Sequence, residues 1–316
     1  MTLHVTVAIN PSASFGRGSS TGPEVVRALT AAGHDVVPLV ASSWDLLVAA
    51  ARRAVEARPD ALVVVGGDGM VSLGTNLVAG TGVPLGIVPS GTGNDAARSL
   101  GIPLDDRAAA VGTLLTALVE GPRVVDAGLA TTADGRRTWF AGTLSAGFDA
   151  LVNERANRLR WPRGRRRYDV ALALELLTLG RLRYELELDG EASATEGTLV
   201  SVGNGRSFGG GIEVLPHALV DDGLLDVLVV ERLTRLQFLR LFPRVSRGEH
   251  LGDPRVHVRR VRRLRIDAPG VVAYADGERL GELPVEVECV PGALHVLAPR
   301  PVDGPGAAGR AGGARR

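Results

Sequence analysis

Short apolar runs alternate with longer amphipathic stretches over residues 1–127 of this chain. The apolar runs are rich in Val, Leu and Ile and are bounded by turn-forming residues, as buried strands are. Strands are predicted at 4–10, 35–40, 62–65, 84–89 and 123–126. Helices are predicted at 22–32, 44–58 and 105–120. Because strands that alternate with helices of this length form βαβ units, the first part of the chain predicts an α/β domain around a parallel sheet.

The pattern changes after residue 127, where predicted strands follow one another. Asp-Gly pairs, which favour tight hairpin turns, lie between apolar runs at Asp134-Gly135, Asp189-Gly190 and Asp276-Gly277. Helices are predicted at 149–158, 168–179 and 235–247. We therefore predict an α/β domain at 1–127 and an antiparallel β domain at 128–300, whose last strand near 293–297 can return to the first domain. The Gly-, Ala-, Pro- and Arg-rich tail at 301–316 is predicted to be disordered.

Composition narrows the class of protein. A chain of 316 residues is long enough for two domains. With 45% hydrophobic but only 4% aromatic residues, its core must be mainly aliphatic. A formal net charge of +1 argues against a surface that binds nucleic acid as a whole.

The chain contains no lysine, so all 36 of its basic residues are arginine. P-loop proteins and protein kinases both place a lysine on the nucleotide phosphates, so the sequence excludes these two routes to phosphoryl transfer. Cys289 is the only cysteine, which fits a reducing compartment. We find neither a signal-peptide pattern nor a long apolar run, and we therefore expect a cytoplasmic protein.

Two glycine-rich segments follow the strands predicted at 62–65 and 84–89. The first reads Gly66-Gly67-Asp68-Gly69, and the second runs from Ser90 to Asp95 with the sequence SGTGND. Glycines at strand ends can simply form tight turns, but they also let backbone amides approach phosphate oxygens closely. Since ligands of α/β sheets bind at the carboxyl ends of the strands, two such loops could hold a polyphosphate. Their aspartates would repel bare phosphate, which indicates a nucleotide carrying Mg²⁺.

The combined motifs resemble those of the bacterial diacylglycerol kinase and lipid kinase family, which is related to sphingosine kinases and more distantly to NAD kinases. The resemblance extends from Val5 to about Pro299. It rests on the glycine loops together with Asn10-Pro11, the segment GFDALVN at 147–153, Arg160-Trp161-Pro162 and Asp276-Gly277-Glu278. It implies a Rossmann-like α/β nucleotide-binding domain followed by an antiparallel β-sandwich domain, with ATP and Mg²⁺ as cofactors.

The resemblance also implies roles for individual residues. Glu278 would accept a proton from the acceptor hydroxyl, and we expect burial or the neighbouring Asp276 to raise its pKa. Asp126 would be linked to the metal through water, although it could equally cap a turn. The predicted catalytic residues are Glu278, Asp126, Asp68 and Asp95. The residues predicted to bind the nucleotide are Asn10, Pro11, Ser12, Ala13, Ser14, Arg17, Ser42, Gly66, Gly67, Asp68, Gly69, Met70, Ser72, Gly91, Thr92, Gly93 and Asn94.

Met70 departs from the family pattern, which has threonine at this position, so Ser72 or a backbone group would have to replace the missing hydroxyl. Ser43 could take the role of Ser42. A second, structural cation site is implied at the Asp222 carboxylate and the backbone carbonyls of Leu219 and Leu224, with a simple Asp-Gly turn as the alternative.

The arginine-rich segment 155–167 begins at Arg155, ends at Arg167 and surrounds Trp161. Basic residues around an interfacial aromatic suit an anionic membrane surface, although a solvated loop is the alternative. Asn204-Gly205 and the glycines at 209–211 form turns that could line an acceptor cleft.

The sequence therefore predicts a Mg²⁺- and ATP-dependent kinase that phosphorylates diacylglycerol at the inner face of the plasma membrane. A homodimer is possible, but the sequence does not determine the oligomeric state. One alternative is a kinase of another lipid alcohol, such as a sphingoid base or a ceramide-like lipid. Another is a non-catalytic nucleotide-binding protein that docks on membranes. NAD kinase activity fits the motif set less well.

Overall fold

The structure is a computed structural model that describes residues 1–10, 20–159, 161, 165–180, 182–245 and 247–300. The tail predicted at 301–316 lies outside these residues. The first part of the chain contains β1 (His4–Ile9), α1 (Thr21–Ala31), β2 (Asp35–Leu39), α2 (Trp44–Glu56), β3 (Ala61–Gly66), α3 (Asp68–Val78), β4 (Leu85–Pro89), α4 (Asp95–Ser99) and α5 (Arg107–Glu120).

The first four strands form a parallel sheet in the order β2-β1-β3-β4. Helices α1 and α5 cover one face, where Val25 and Leu114 pack against Val63. Helices α2 and α3 cover the other face, where Leu47 and Val71 join the same core cluster as Val64 and Leu62 of β3. Since both faces are covered, every residue of β3 is buried, which explains its uninterrupted apolar sequence. The predicted parallel α/β arrangement is confirmed.

The second part of the chain is dominated by antiparallel strands. Its elements are β5 (Arg123–Thr132), β6 (Arg137–Phe140), β7 (Thr143–Gly147), α6 (Phe148–Arg158), α7 (Arg165–Leu177), β8 (Leu182–Leu188), β9 (Glu191–Gly203), β10 (Leu225–Glu231), α8 (Arg235–Val245), β11 (Val256–Val261), β12 (Arg263–Asp267), β13 (Val272–Ala275), β14 (Glu278–Glu282) and β15 (Val285–Leu297). A 3₁₀ turn lies at His250–Gly252.

All three predicted Asp-Gly hairpins are confirmed, because they join β5 to β6, β8 to β9, and β13 to β14. At the second and third of these turns both residues have positive φ, with 49° at Asp189 and 47° at Asp276. This is the backbone geometry of a type I′ turn, which Asp-Gly accommodates readily.

Strand β15 connects the two parts of the chain. It runs antiparallel to β5 from Val285, opposite Thr132, to Val296, opposite Arg123, with an irregularity between Val290 and Leu294. At its end it also pairs in parallel with β4. Strand β5 extends well beyond the predicted 123–126 because its partner β15 is itself long. As a result, one continuous sheet runs from β2 to β14.

The antiparallel part folds over its own core. Leu280 of β14 and Leu264 of β12 lie far apart in the strand order but belong to one buried cluster, together with Phe140. Strands that are distant within a sheet can share a core only if the sheet curves back on itself, so the predicted β-sandwich is confirmed. None of the described helices combines the length and the hydropathy of a transmembrane span.

The contact between Gly128 and Phe140 gives a stability test. A Cβ added at Gly128 would lie 2.0 Å from Cζ of the fully buried Phe140 ring. We expect Gly128→Ala to lower the free energy of unfolding by about 1–3 kcal/mol through overpacking, as measured by urea denaturation.

The matched control is Gly112→Ala, at an exposed position in α5 where an added Cβ meets nothing within 4 Å. Alanine within a helix should raise the free energy of unfolding there by about 0.5–1 kcal/mol. Equal stability of Gly128→Ala and the natural chain would contradict the tight contact.

Candidate active site

The two glycine loops touch each other through their backbones. Strands β3 and β4 are parallel neighbours, so both loops emerge at one edge of the sheet, and the Ser90 amide donates to the Gly66 carbonyl at 2.8 Å. A Cβ at Gly91 would lie 2.4 Å from Cα of Gly67, so the loops can be this close only without side chains. The side chain of Asn94, itself at φ 56°, closes the second loop by bonding both the amide and the carbonyl of Gly91.

Asp68 fixes the second loop from the first residue of α3. Its Oδ2 accepts the Asn94 amide at 2.9 Å, and its Oδ1 accepts the Asp95 amide at 2.7 Å. Burial raises the pKa of Asp68, and the nearby charge of Asp95 adds to the rise. A Cβ at Gly93 would lie only 2.4 Å from Asp68 Oδ2, so this glycine makes room for the carboxylate.

Asp95 joins the two parts of the chain. Its carboxylate accepts the amides of Gly210 at 2.8 Å and Gly211 at 2.7 Å, and the Ser207 hydroxyl lies 3.3 Å from Oδ1. The glycine segment 209–211 is thereby held beside the second glycine loop, with Gly93 Cα 3.9 Å from a Cβ placed at Gly210. In this structure Asp95 therefore orders backbone from the other half of the molecule.

Two more side chains of α4 support the same contact. The Arg98 guanidinium donates to the Gly93 carbonyl at 3.4 Å, and the Ser99 hydroxyl accepts the Arg206 amide at 3.3 Å. Helix α4 thus links the two glycine loops to the segment that follows β9.

Asp126 lies buried on β5, where three segments meet. Its carboxylate accepts the amides of Gly223 at 2.6 Å and Gly292 at 2.9 Å, and its backbone carbonyl accepts the Asn204 side-chain amide at 2.8 Å. These contacts account for both carboxylate oxygens. The role predicted for Asp126 toward a metal stays a prediction.

Glu278 is held at the edge of the site by its hairpin. The preceding Asp276 accepts three backbone amides from 141–143 at 2.9–3.0 Å, and burial raises the pKa of Asp276 to about 6. Glu278 itself is exposed, and a Cβ at Gly69 would lie 3.9 Å from its Oε1. Of the two effects that we expected to act on Glu278, burial is not present, because this side chain is exposed and faces the start of α3. The effect of the neighbouring Asp276 stays a prediction.

The other side of the same hairpin is fixed by Glu154 on α6, which sequence analysis missed. Its Oε2 accepts the Tyr274 hydroxyl at 2.6 Å and the Arg279 Nε at 3.3 Å, and its Oε1 pairs with Arg158 at 2.7 Å. The hydrogen bond from Tyr274 lowers the pKa of Glu154, and burial raises that of Tyr274 to about 12. No local pattern in the sequence signals this contact, because its partners are 120 or more residues apart.

Met70 and Ser72 lie beneath the first glycine loop. The Met70 side chain is 1% exposed and packs so closely on Gly66 that a Cβ there would lie 2.3 Å from Met70 Cγ. Ser72 is also buried. Any contact of Met70 with a ligand would therefore involve its backbone.

The remaining predicted nucleotide residues are spread along the same sheet edge. The Asn10 amide donates to the Val65 carbonyl at 3.2 Å, which places Asn10 beside the end of β3. Ser42 is exposed after β2, whereas the Ser43 hydroxyl caps α2 by accepting the Leu46 amide. Thr92, in the second loop, is exposed. The predicted residues outside the described part of the chain are Pro11, Ser12, Ala13, Ser14 and Arg17.

The predicted second cation site has a different partner in the structure. Asp222 accepts the Leu224 amide at 3.1 Å through Oδ1 and forms an ion pair with Arg260 through Oδ2. Leu219 is exposed. The Arg260 contact uses one carboxylate oxygen of Asp222, and the cation site at Asp222, Leu219 and Leu224 stays a prediction. Among the described residues, no group of three or more His, Cys, Asp or Glu side chains could hold a metal.

Part of the arginine-rich segment is engaged within the protein. Arg155 forms an ion pair with Glu175 of α7, and Arg158 pairs with Glu154, whereas Trp161 is 80% exposed. Residues 160 and 162–164 of this segment lie outside the described residues.

Asp149, at the start of α6, is another carboxylic acid enclosed by the protein, besides Asp68, Asp126 and Asp276. Burial raises its pKa to about 6, against smaller opposing effects of the Ala150 amide and of the hydroxyls of Ser145 and Ser201. It has no part in the arrangement around the glycine loops.

Two family models match the chain in succession. The model described as the diacylglycerol kinase catalytic domain matches residues 4–127. The model described as the YegS C-terminal NAD kinase beta sandwich-like domain matches residues 142–298.

Individual relatives match almost as fully. A protein named diacylglycerol kinase from Mycobacterium tuberculosis is 40% identical over 301 residues, which cover 94% of this chain and 95% of the relative. A protein named "Probable lipid kinase YegS-like" from Stenotrophomonas maltophilia is 31% identical over 76% of this chain and 79% of its own. The crystal structure of a diacylglycerol kinase from Bacillus anthracis str. Sterne has a TM-score of 0.69 at 22% identity and covers 94% of this chain and 97% of its own, a likeness that shows the fold.

The pKa of Asp149 gives a pH test. In the unfolded chain this carboxyl titrates near 3.8 and in the folded protein near 6, so folding loses stability as the pH rises through this interval. Asp149→Asn stays neutral and should therefore gain up to about 3 kcal/mol in the free energy of unfolding, relative to the natural chain, between pH 4 and 7. Urea denaturation at several pH values measures this, with the exposed Asp169→Asn as control. Parallel pH curves for Asp149→Asn and the natural chain would contradict the shift.

Proposed function

This chain belongs to the diacylglycerol kinase-like family of lipid kinases, and on that premise we propose that it transfers the γ-phosphoryl group of ATP, with Mg²⁺, to the free hydroxyl of diacylglycerol to form phosphatidic acid. The observation that carries the proposal is the meeting of three elements at one edge of the sheet. The glycine loops after β3 and β4 touch there, and the exposed Glu278 carboxylate faces Gly69 beside them.

The glycine loops are the proposed site of the triphosphate. Backbone near Gly67 and Gly91 can approach phosphate oxygens because these residues carry no side chains. Helix α3 also begins at this edge, with Asp68 and Gly69 preceding Met70, whose amide donates to the Gly67 carbonyl. No lysine is available, so positive charge from the protein must come from arginine, and Arg98 lies beside Gly93. Mg²⁺, when bound, would supply charge to offset both the phosphates and Asp68.

Glu278 is the proposed proton acceptor. A hydroxyl bound at the Glu278 carboxylate would lie beside Gly69 and the glycine loops, so a base at this position could serve an acceptor that attacks a phosphoryl group held there. Asp276 and Glu154 hold the two sides of the hairpin, so the Glu278 backbone is fixed before an acceptor arrives. Preorganisation of this kind lowers the cost of reaching the transition state.

Diacylglycerol is the proposed acceptor because relatives of this chain carry that name over nearly its full length. A relative named as a YegS-like lipid kinase supports a related lipid alcohol as the second candidate. Either acceptor resides in a bilayer, so we propose that the protein works at the inner face of the plasma membrane, in contact with anionic lipid.

An acceptor panel tests the function. We expect radiolabelled ATP with Mg²⁺ to phosphorylate diacylglycerol in mixed micelles at least about tenfold more efficiently than sphingosine or ceramide, and NAD not at all. Chromatography of the lipid product should identify phosphatidic acid. Preferred labelling of sphingosine or ceramide would show that this lipid, and not diacylglycerol, is the acceptor. No labelling of any acceptor would overturn the kinase proposal.

The base is tested by Glu278→Gln, which keeps the shape of the side chain but removes its ability to take a proton. We expect kcat to fall by about 10²- to 10⁴-fold while the calorimetric Kd for ATP stays unchanged. Glu282→Gln, an exposed change on the same strand, serves as the control and should keep full activity. Normal turnover of Glu278→Gln would remove Glu278 as the base.

A further inference from the structure

Helix α8 has apolar side chains on both its inner and its outer face. Phe238 and Leu241 are buried against the protein, as an amphipathic helix requires. On the outer face, however, Leu236 is 57% and Leu239 is 56% exposed. Because residues three apart on a helix are neighbours, these two leucines form one apolar patch rather than scattered side chains.

The charges of α8 are all of one sign. Arg235 and Arg240 flank the two leucines on the exposed side, and the helix contains no acidic residue. Arginine can keep its guanidinium in a polar layer while its stem covers apolar surface. The outer face of α8 therefore combines exposed leucine with positive charge.

Helix α7 continues this surface. Its exposed side includes Arg166, Val170, Ala173 and Leu177, which recur at helical spacing and so lie along one stripe. The exposed Asp169 lies on the same side and is the one acidic residue among these exposed positions of α7. Leu177, at the end of the stripe, is 62% exposed. The Arg235 guanidinium donates to the Leu177 carbonyl, which places the end of α7 directly beside the start of α8.

We infer that the α7–α8 face docks on an anionic lipid bilayer. The face is defined by the apolar Val170, Leu177, Leu236 and Leu239 and by the arginines Arg166, Arg235 and Arg240. The inference rests on the proposed function, since a kinase of a bilayer lipid needs such a surface. Charge complementarity selects the occupant: apolar side chains enter the acyl boundary while arginines meet anionic headgroups. A second copy fits less well, because a twofold contact through α8 would set arginines against arginines.

The α7–α8 face is connected by packing to the hairpin that carries Glu278. Phe238 of α8 packs on Phe148 of α6 with ring centroids 4.6 Å apart. Helix α6 also carries Glu154, which holds the hairpin of Glu278 through Tyr274. One helix thus contacts both the docking face and the hairpin of the proposed base.

Sedimentation with vesicles tests the inference without nucleotide or turnover. The full chain is mixed with vesicles of phosphatidylcholine and phosphatidylserine, and the bound fraction is measured for the natural protein and for the double variant Leu236→Ser/Leu239→Ser. We expect the double variant to bind at least about tenfold more weakly, since two leucines no longer enter the bilayer. Val119→Ser, at an 85% exposed position on α5, is the matched control and should bind normally.

The charge part is tested by Arg240→Gln. This variant should lose affinity for vesicles that contain phosphatidylserine and show no change on pure phosphatidylcholine. Thermal unfolding checks that each variant is folded, and the single variants Leu236→Ser and Leu239→Ser substitute if the double variant is not. Undiminished binding by every folded leucine variant would overturn the inference.

Two further outcomes separate the possible failures. If the natural protein elutes as a dimer that the leucine variants convert to a monomer, the face is a contact between copies and the inference is overturned. If the natural protein phosphorylates no lipid but the leucine variants still lose vesicle binding, the proposed function fails while the docking face stands. Activity on a water-soluble short-chain diacylglycerol should be equal in the natural protein and the leucine variants, and a matching loss there would overturn a role confined to docking.

Discussion

The contact between the two glycine loops is the constraint on which the site depends. It requires β3 and β4 to be parallel neighbours, and it requires Gly67 and Gly91 to lack side chains. The bare backbones leave amides that need partners, and Asp68 satisfies two of them on the second loop. The first loop thereby determines the shape of the second.

Other aspartates around the site also align loops by accepting backbone amides. Asp95, Asp126 and Asp276 each accept backbone amides from a segment distant in sequence, just as Asp68 does. Hydrogen bonds to an ionised carboxylate are stronger than neutral ones, so a few aspartates can align several loops. The cost is negative charge gathered where a triphosphate would bind, and a lysine-free chain can offset it only with arginine or a cation. These carboxylates therefore stabilise the loops by accepting amides, but their negative charge opposes the binding of a triphosphate.

The predictable parts of the fold are those with a local cause. The fully apolar β3 and the Asp-Gly hairpin at Asp276 follow from burial on both faces and from turn geometry, which a short window of sequence contains. The glycine partners of Asp95 and the hairpin partners of Glu154 could not be predicted, because they are more than 100 residues away and have no local pattern. The choice between burial and a neighbouring carboxylate at Glu278 could not be made from the sequence either, since it depends on how the hairpin packs against residues 141–143.

Strand β15 limits how this molecule can move. It pairs with β5 and β12 of the antiparallel part and, at its end, with β4 of the parallel sheet. Movement of the antiparallel part against the parallel sheet would have to break the pairing of Val296 and Leu297 with β4, which costs backbone hydrogen bonds. The glycine segment 209–211 is held by fewer bonds, since two of its amides donate to Asp95. The two parts of the chain are therefore joined by a continuous sheet at β15 and, beside the glycine loops, by hydrogen bonds to a single carboxylate.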